Sequence, residues 1–154
     1  MGYILGLKYA ILLSLVGGAL AGCCTMVMCV GADNMNEIAL NNFEDAAELD
    51  TIVVKKYNKG SGMVTPIDSF VTFPVFSGAI NPTQQIVLSQ KMTDNFDYRI
   101  EIPGAGRVYN ITNFVVKKKG CNSGFLCNDT YRALESYRVN GRTMEGQWQV
   151  VLYR

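Results

Sequence analysis

The 154-residue sequence predicts a mainly β fold. The expected form is an antiparallel β-sandwich or barrel of about seven or eight strands, preceded by an N-terminal transmembrane helix and a short amphipathic helix. Three observations carry this expectation. Residues 9–32 hold no charged side chain. From Thr51 onward, turn signals recur about every 8–14 residues with no long helical period between them. Asn140-Gly141 separates two apolar runs, a strong hairpin signal because a type I′ turn needs positive φ at both central residues. The expected organisation is a membrane anchor at 1–32, an acidic helical connector at 33–50 and a β domain at 51–154. Roughly 100 residues suffice to bury one hydrophobic core.

The run from Tyr9 to Ala32 has 24 uncharged residues. At ~1.5 Å rise per residue it reaches about 36 Å as a helix, enough for a hydrocarbon core of about 30 Å. Gly18 and Gly22 stand at the small-xxx-small spacing that lets two membrane helices approach, and are candidates for a helix–helix contact. Lys8 is the only charged side chain before the run, whereas six acids and no base fill residues 33–50. The positive-inside rule then puts the amino terminus in the cytoplasm and the carboxy-terminal domain outside it.

Leu20-Ala21-Gly22-Cys23 resembles the lipobox of bacterial lipoproteins, and that resemblance implies lipidation of Cys23 after cleavage before it. The sequence stays apolar through Cys24–Val30, where lipoproteins continue into a polar tether. An uncleaved anchor is therefore the first expectation, and a lipoprotein-type binding module the alternative. The order of apolar helix, amphipathic continuation, β domain and late cysteine loop also resembles type IV pilins, which implies a filament subunit. Leu7 and Ile11 stand where that family carries glutamate, so this alternative is minor.

Asn34–Leu49 reads as the amphipathic helix. Asp33 or Asn34 supplies a cap, Glu37 a loose capping box, and Ile38, Leu40, Phe43, Ala47 and Leu49 an apolar stripe. The strands follow in order. Thr51–Tyr57 is β-branched, and Ser69–Ser77 contains Pro74, which assigns it to an edge or a bulge. Gln85–Lys91 comes next. Phe96–Ile102 alternates cleanly, with Phe96, Tyr98, Ile100 and Ile102 inward. Pro103–Gly106 turns the chain into Arg107–Lys118. Tyr131–Val139 and Glu145–Tyr153 flank the Asn140-Gly141 turn, with Trp148, Val150 and Leu152 on a core face.

Of the five cysteines, Cys23, Cys24 and Cys29 lie in the apolar segment. Cys121 and Cys127 flank a short loop and are expected to form a disulfide in an oxidising compartment. Asn110-Ile-Thr112 and Asn128-Asp-Thr130 are candidate N-glycosylation sites for a eukaryotic secretory pathway.

The sequence has no histidine, which excludes Ser-His-Asp and Cys-His catalysis, histidine metal sites and histidine pH switching. Gly60-Ser-Gly62 and Gly104-Ala-Gly106 lie between strands and do not open helices, so neither forms a phosphate loop. Asp97 and Glu101 are about 13 Å apart along one strand, too far for a glycosidase pair. No catalytic, cofactor or metal site is expected, and no enzyme activity. The 14 Lys+Arg nearly balance the 13 Asp+Glu, so no nucleic-acid partner is expected. The charges are unevenly spread: residues 51–154 carry 13 bases against 7 acids, while residues 33–50 are purely acidic. Lys117, Lys118 and Lys119 are the candidates for an electrostatic contact with the connector or a neighbouring acidic surface. Together these features lead us to expect a structural or interaction component of an envelope or virion assembly. Its expected partners are the lipid bilayer and other protein subunits.

Overall fold

The computed structural model describes residues 29, 31–32, 35–76, 82–121, 130–146 and 149–154. The chain divides into two compact units, Met1–Cys29 with Lys118–Tyr131 and Val30–Lys117 with Arg132–Arg154. Nine strands occur among the described residues: β1 (Met35–Asn41), β2 (Ile52–Asn58), β3 (Asp68–Thr72), β4 (Thr83–Met92), β5 (Phe96–Ile102), β6 (Arg107–Gly120), β7 (Thr130–Val139), β8 (Arg142–Glu145) and β9 (Val150–Tyr153). They form a three-stranded sheet in the order β4-β1-β9 and a six-stranded sheet in the order β3-β2-β5-β6-β7-β8.

The larger sheet follows from local chemistry. In β5 the inward residues Tyr98, Ile100 and Ile102 are buried, and they register against Ile111, Tyr109 and Arg107 of β6. Along β6, Tyr109 and Ile111 are buried at alternate positions, but the next buried residue is Phe114. Asn113 adopts φ +54°, a left-handed conformation that asparagine tolerates well. One extra residue there shifts the parity, as in a β-bulge, and turns Phe114 into the core. The β7–β8 hairpin closes through Asn140 (φ +49°) and Gly141 (φ +84°), with Val139 opposite Arg142, as a type I′ turn requires.

The smaller sheet corrects the expected amphipathic helix. Residues 35–41 form a central strand, antiparallel to β4 and parallel to β9. Ile38 and Leu40 are fully buried on one face. Pairing on both edges and burial of these side chains outweigh the weak helical preference of MNEIALN, because β structure is governed by tertiary context. Only Ala46–Leu49 is helical, as a single 3-10 turn whose first turn is capped by Asp45. The connector at 33–50 is thus part of the β unit, and the parallel β1–β9 pair departs from the all-antiparallel expectation. The amphipathic continuation that supported the likeness to pilins is absent from this segment. No helix among the described residues is long and apolar enough to cross a membrane. The predicted span lies outside the described residues except for Cys29, Gly31 and Ala32, and Ala32 is buried in the core.

Both sheets contribute to one core, with Ile38, Leu40, Ile86, Val150 and Leu152 from the smaller and Val54, Tyr98, Ile100, Ile111, Phe114 and Tyr137 from the larger. Trp148 lies outside the described residues, while Val150 and Leu152 face inward as expected. An aromatic row crosses this core: Tyr98 meets Phe114 edge-on and Phe114 stacks on Tyr137, both at 6.2 Å between centroids.

Three tyrosine hydroxyls end on backbone groups. The Tyr137 hydroxyl accepts from the Val151 N–H at 2.7 Å, and the Tyr109 hydroxyl donates to the Tyr153 carbonyl at 2.8 Å. Both bonds run from the larger sheet to the free edge of β9. The Tyr98 hydroxyl accepts from the Thr93 N–H at 2.8 Å, in the turn joining β4 to β5. Burial raises the pKa of all three phenols above the ordinary 10.0.

Two outcomes follow from this architecture. A chain beginning at Thr51 lacks the central strand of the smaller sheet and is expected to lose cooperative thermal unfolding. A chain beginning at Cys29 is expected to keep it, as monitored by circular dichroism. Tyr137→Phe strands the Val151 N–H and is expected to cost about 1–3 kcal/mol, against about 0.5–1.5 for Tyr109→Phe, because the Tyr153 carbonyl lies at an exposed end and can take water. A folded pKa above the unfolded one gives stability that is full below pH 10 and is lost as pH climbs through the raised values. Chemical denaturation from pH 8 to 12 should show that decline, and it should be shallower in Tyr137→Phe.

Candidate functional site

The chain enters the second unit beside Arg132: a Cβ at Gly31 would come within 3.0 Å of the Arg132 carbonyl oxygen. Met35 then pairs with Met92, immediately before the turn at Thr93–Asn95. We call this end the proximal pole. Its polar groups form a linked network. The Arg132 guanidinium donates to Asp94 at 2.6 Å, and the Lys59 ammonium donates to the Asp94 carbonyl oxygen at 3.2 Å. Asp97 accepts from the Gly60 N–H at 2.8 Å, closing the β2–β3 loop onto β5. The Lys56 ammonium lies 3.9 Å above the Phe96 ring, a cation–π contact.

The carboxylates here are sequestered, with Asp94 7% and Asp97 4% exposed. Lys59, Lys91, Lys117 and Arg132 are exposed, Lys117 paired with Glu135 and Arg132 with Asp94. Within the same β2–β3 loop, Val64 is 84% exposed and Ile67 also reaches solvent. Among the described residues no three His, Cys, Asp or Glu side chains converge as metal ligands.

The opposite, distal pole carries both signs, with Arg107 and Arg154 exposed there beside carboxylates. β1 carries the chain across the unit in seven residues, about 23 Å at strand rise. Glu44, Asp45 and Asp50 therefore emerge, exposed, at the end where β5 gives way to β6. The Ala46–Leu49 turn is seated against Pro103–Ala105, where a Cβ at Gly104 would lie 2.7 Å from the Glu48 carbonyl oxygen, so glycine is needed there. Glu48 forms an ion pair with Arg154.

Lys117 is paired with Glu135 of β7 at 2.7 Å, and the connector carboxylate Glu48 is held by Arg154. Lys118 and Lys119 continue β6 and are exposed.

The disulfide is also revised. Cys121 is bonded to Cys29, with the Cα atoms 5.8 Å apart, and both cysteines belong to the first unit. A sulfur makes one such bond, so the Cys121–Cys127 pairing is replaced; Cys127 itself lies outside the described residues. Chain proximity favoured the short ring, but 92 residues separate the bonded pair. Closing so long a loop removes more unfolded-state entropy, about 4.6 kcal/mol against about 2.4 for the seven-residue ring.

Asn110 lies on the outward face of β6, its side-chain carbonyl accepting from the Arg99 Nε at 2.9 Å. Its backbone N–H donates to the Asn140 side chain at 2.8 Å. Asn128, Cys23, Gly18 and Gly22 lie outside the described residues. A cleft of about 370 Å³ opens beside β9, lined by Tyr109, Val139, Asn140, Arg142, Met144 and Tyr153. Its lining presents apolar surface, an amide and a guanidinium, groups suited to binding. Sequence reading missed the proximal network and the cleft. Their only sequence signal was the placement of Asp94 and Asp97 around a strand start, which does not reveal that Arg132 and Gly60 meet them.

Comparison with protein families, curated proteins and solved structures gives no match to this chain.

Peptide mapping after alkylation without reductant should recover a linked pair of peptides containing Cys29 and Cys121. Cys29→Ser should free Cys121 for labelling and lower thermal stability. Recovery of a Cys121–Cys127 link would contradict the structure.

Proposed function

We propose that this chain is a single-pass membrane protein that holds a two-sheet β-sandwich outside the cytoplasm and acts by contact within a larger envelope or virion assembly. The observation that carries the reading is the Cys29–Cys121 disulfide at the foot of an uncharged run. Disulfides persist in oxidising compartments, and an uncharged run of this length is what a bilayer requires. With Cys29 engaged in protein, residues 9–28 remain for the span, and 20 residues at ~1.5 Å reach about 30 Å.

A contact role fits the available side chains. The histidine-free sequence offers no imidazole base, and the buried Asp94 and Asp97 each have one oxygen engaged, by Arg132 and by the Gly60 amide. The charged groups and the exposed apolar side chains lie at the surface, where partners are met. The lipobox-like Leu20-Ala21-Gly22-Cys23 keeps one second reading open: a lipoprotein tethered at Cys23, with five residues between the lipid and Cys29.

Alkaline carbonate extraction followed by intact-mass measurement tests both. Retention in the membrane at the mass of the full chain is expected. Release into the soluble fraction overturns the anchor, whereas loss of residues 1–22 with a lipid adduct on Cys23 selects the lipoprotein.

A further inference from the structure

We propose that the cleft beside β9 binds a small carboxylic acid with an apolar body, its carboxylate held by Arg142 and its apolar part lying against Val139, Met144 and Val151. All of these residues belong to the β unit, so the site does not depend on the anchored reading.

Strand parity puts a cation there. Arg142 and Met144 stand two apart on β8 and so share one face, the face on which Met144 packs against the core. β8 therefore presents a guanidinium where its alternation calls for an apolar residue. Arg142 forms no ion pair with a described residue. No acid lines the cleft. Glu145 occupies the other face of β8, Glu48 is held by Arg154, and the exposed Glu44, Asp45 and Asp50 lie outside the lining. Burial raises the pKa of the Tyr109 phenol, and Arg107 and Arg154 pull it the other way, so positive charge reaches this part of the lining too.

The polar groups still open to a ligand are donors. The Asn140 side chain accepts from the Asn110 N–H and gives one N–H to the Val108 carbonyl, which leaves its second N–H over. That donor and the guanidinium match a group that only accepts, and the planar fork of arginine fits a carboxylate through two parallel bonds. Val139 and Met144 continue the core into the cleft, so the rest of the ligand meets an apolar wall. A doubly charged phosphate would leave one charge against that wall without a partner, which is costly. An added β-strand is a poor occupant, because the Val151 N–H and the Tyr153 carbonyl on the free edge of β9 are already bonded to Tyr137 and Tyr109. At about 370 Å³ the cleft is near the lower end of small-molecule pockets, roughly 300–1,000 Å³. That size suits a short- or medium-chain acid and excludes a whole membrane lipid.

The test uses the full chain in phosphatidylcholine nanodiscs, carbon-13 labelled at the methionine methyls, with octanoate as the ligand. Met144 lines the cleft, whereas Met35 and Met92 are buried outside it and serve as internal references. Octanoate is expected to shift the Met144 methyl signal saturably and to leave Met35 and Met92 in place. 1-Octanol, the same chain without the charge, should bind about tenfold more weakly or worse, as should octanoate to Arg142→Gln, because a charged hydrogen bond is lost in both. Arg142→Lys should recover part of the affinity. Arg138→Gln removes the same charge from the other face of the sheet and should leave the affinity unchanged. Arg142 is exposed, so its variants should melt with the parent by circular dichroism. The comparison of octanoate with octanol is made on the unaltered chain and stands even if a variant fails to fold. Equal affinities for octanoate and octanol overturn the inference, as do equal affinities of the parent and a folded Arg142→Gln. Shifts that rise without saturation, or that appear equally at Met35 and Met92, reduce the effect to partition into lipid and overturn it too. Tighter binding of octyl phosphate than of octanoate overturns the carboxylate assignment. Met144 reports on the cleft whether or not the chain stays in the bilayer, so failure of the anchored reading leaves this test intact.

Discussion

The fold depends on where Tyr98, Tyr109 and Tyr137 place their hydroxyls. A strand at the edge of a sheet leaves a row of backbone donors and acceptors without partners, which is costly where water is excluded. β9 is such an edge, and the larger sheet reaches across to it with two phenols, one accepting from Val151 and one donating to Tyr153. Tyr98 does the same for the turn that carries the chain from one sheet to the other. Each ring also fills the core, so a single residue type supplies apolar volume and a directed bond. That double duty sets the register between sheets, because a ring displaced along its strand loses its backbone partner.

β1 imposes the second constraint. It lies between β4 and β9, so the smaller sheet is completed only when the carboxy-terminal strand arrives beside the first one. The contacts concerned link residues near 38 to residues near 150. Such pairings pay the full entropy of a closed loop before they are rewarded, which makes this sheet a late event in folding. The Cys29–Cys121 bond, in the other unit, shortens the unfolded ensemble in the same sense.

β1 also decides the electrostatics. Glu44, Asp45, Glu48 and Asp50 lie at the end of the β unit remote from its entrance, where Glu48 is held by Arg154. At the entrance, Asp94 and Asp97 are turned inward to organise the β4–β5 and β2–β3 connections. Lys59 and Lys91 stay exposed beside them, and Lys117 pairs with Glu135. The expected acidic helical connector is thus a structural strand followed by a single 3-10 turn with acids around it.

Local chemistry was enough to establish β5, the Asn140-Gly141 hairpin, the start of β6 after Pro103–Gly106 and the inward faces of Val150 and Leu152. Alternation and turn residues act within a few positions and need no distant partner. The length of the run at 9–32 and its absence of charge are properties of the sequence alone. Other features were out of reach. Residues 35–41 carry no strong preference and became a strand because β4 and β9 offered two edges. Glu145–Tyr153 read as one strand, yet among the described residues 142–145 and 150–153 pair with different sheets. Cys121 found Cys29 across 92 residues, a partner that spacing does not name. The proximal pole exists only because four distant segments, around Gly31, Lys59, Asp94 and Arg132, converge there. Such juxtapositions are products of loop closure and burial, which act through three-dimensional proximity and leave no period in the sequence.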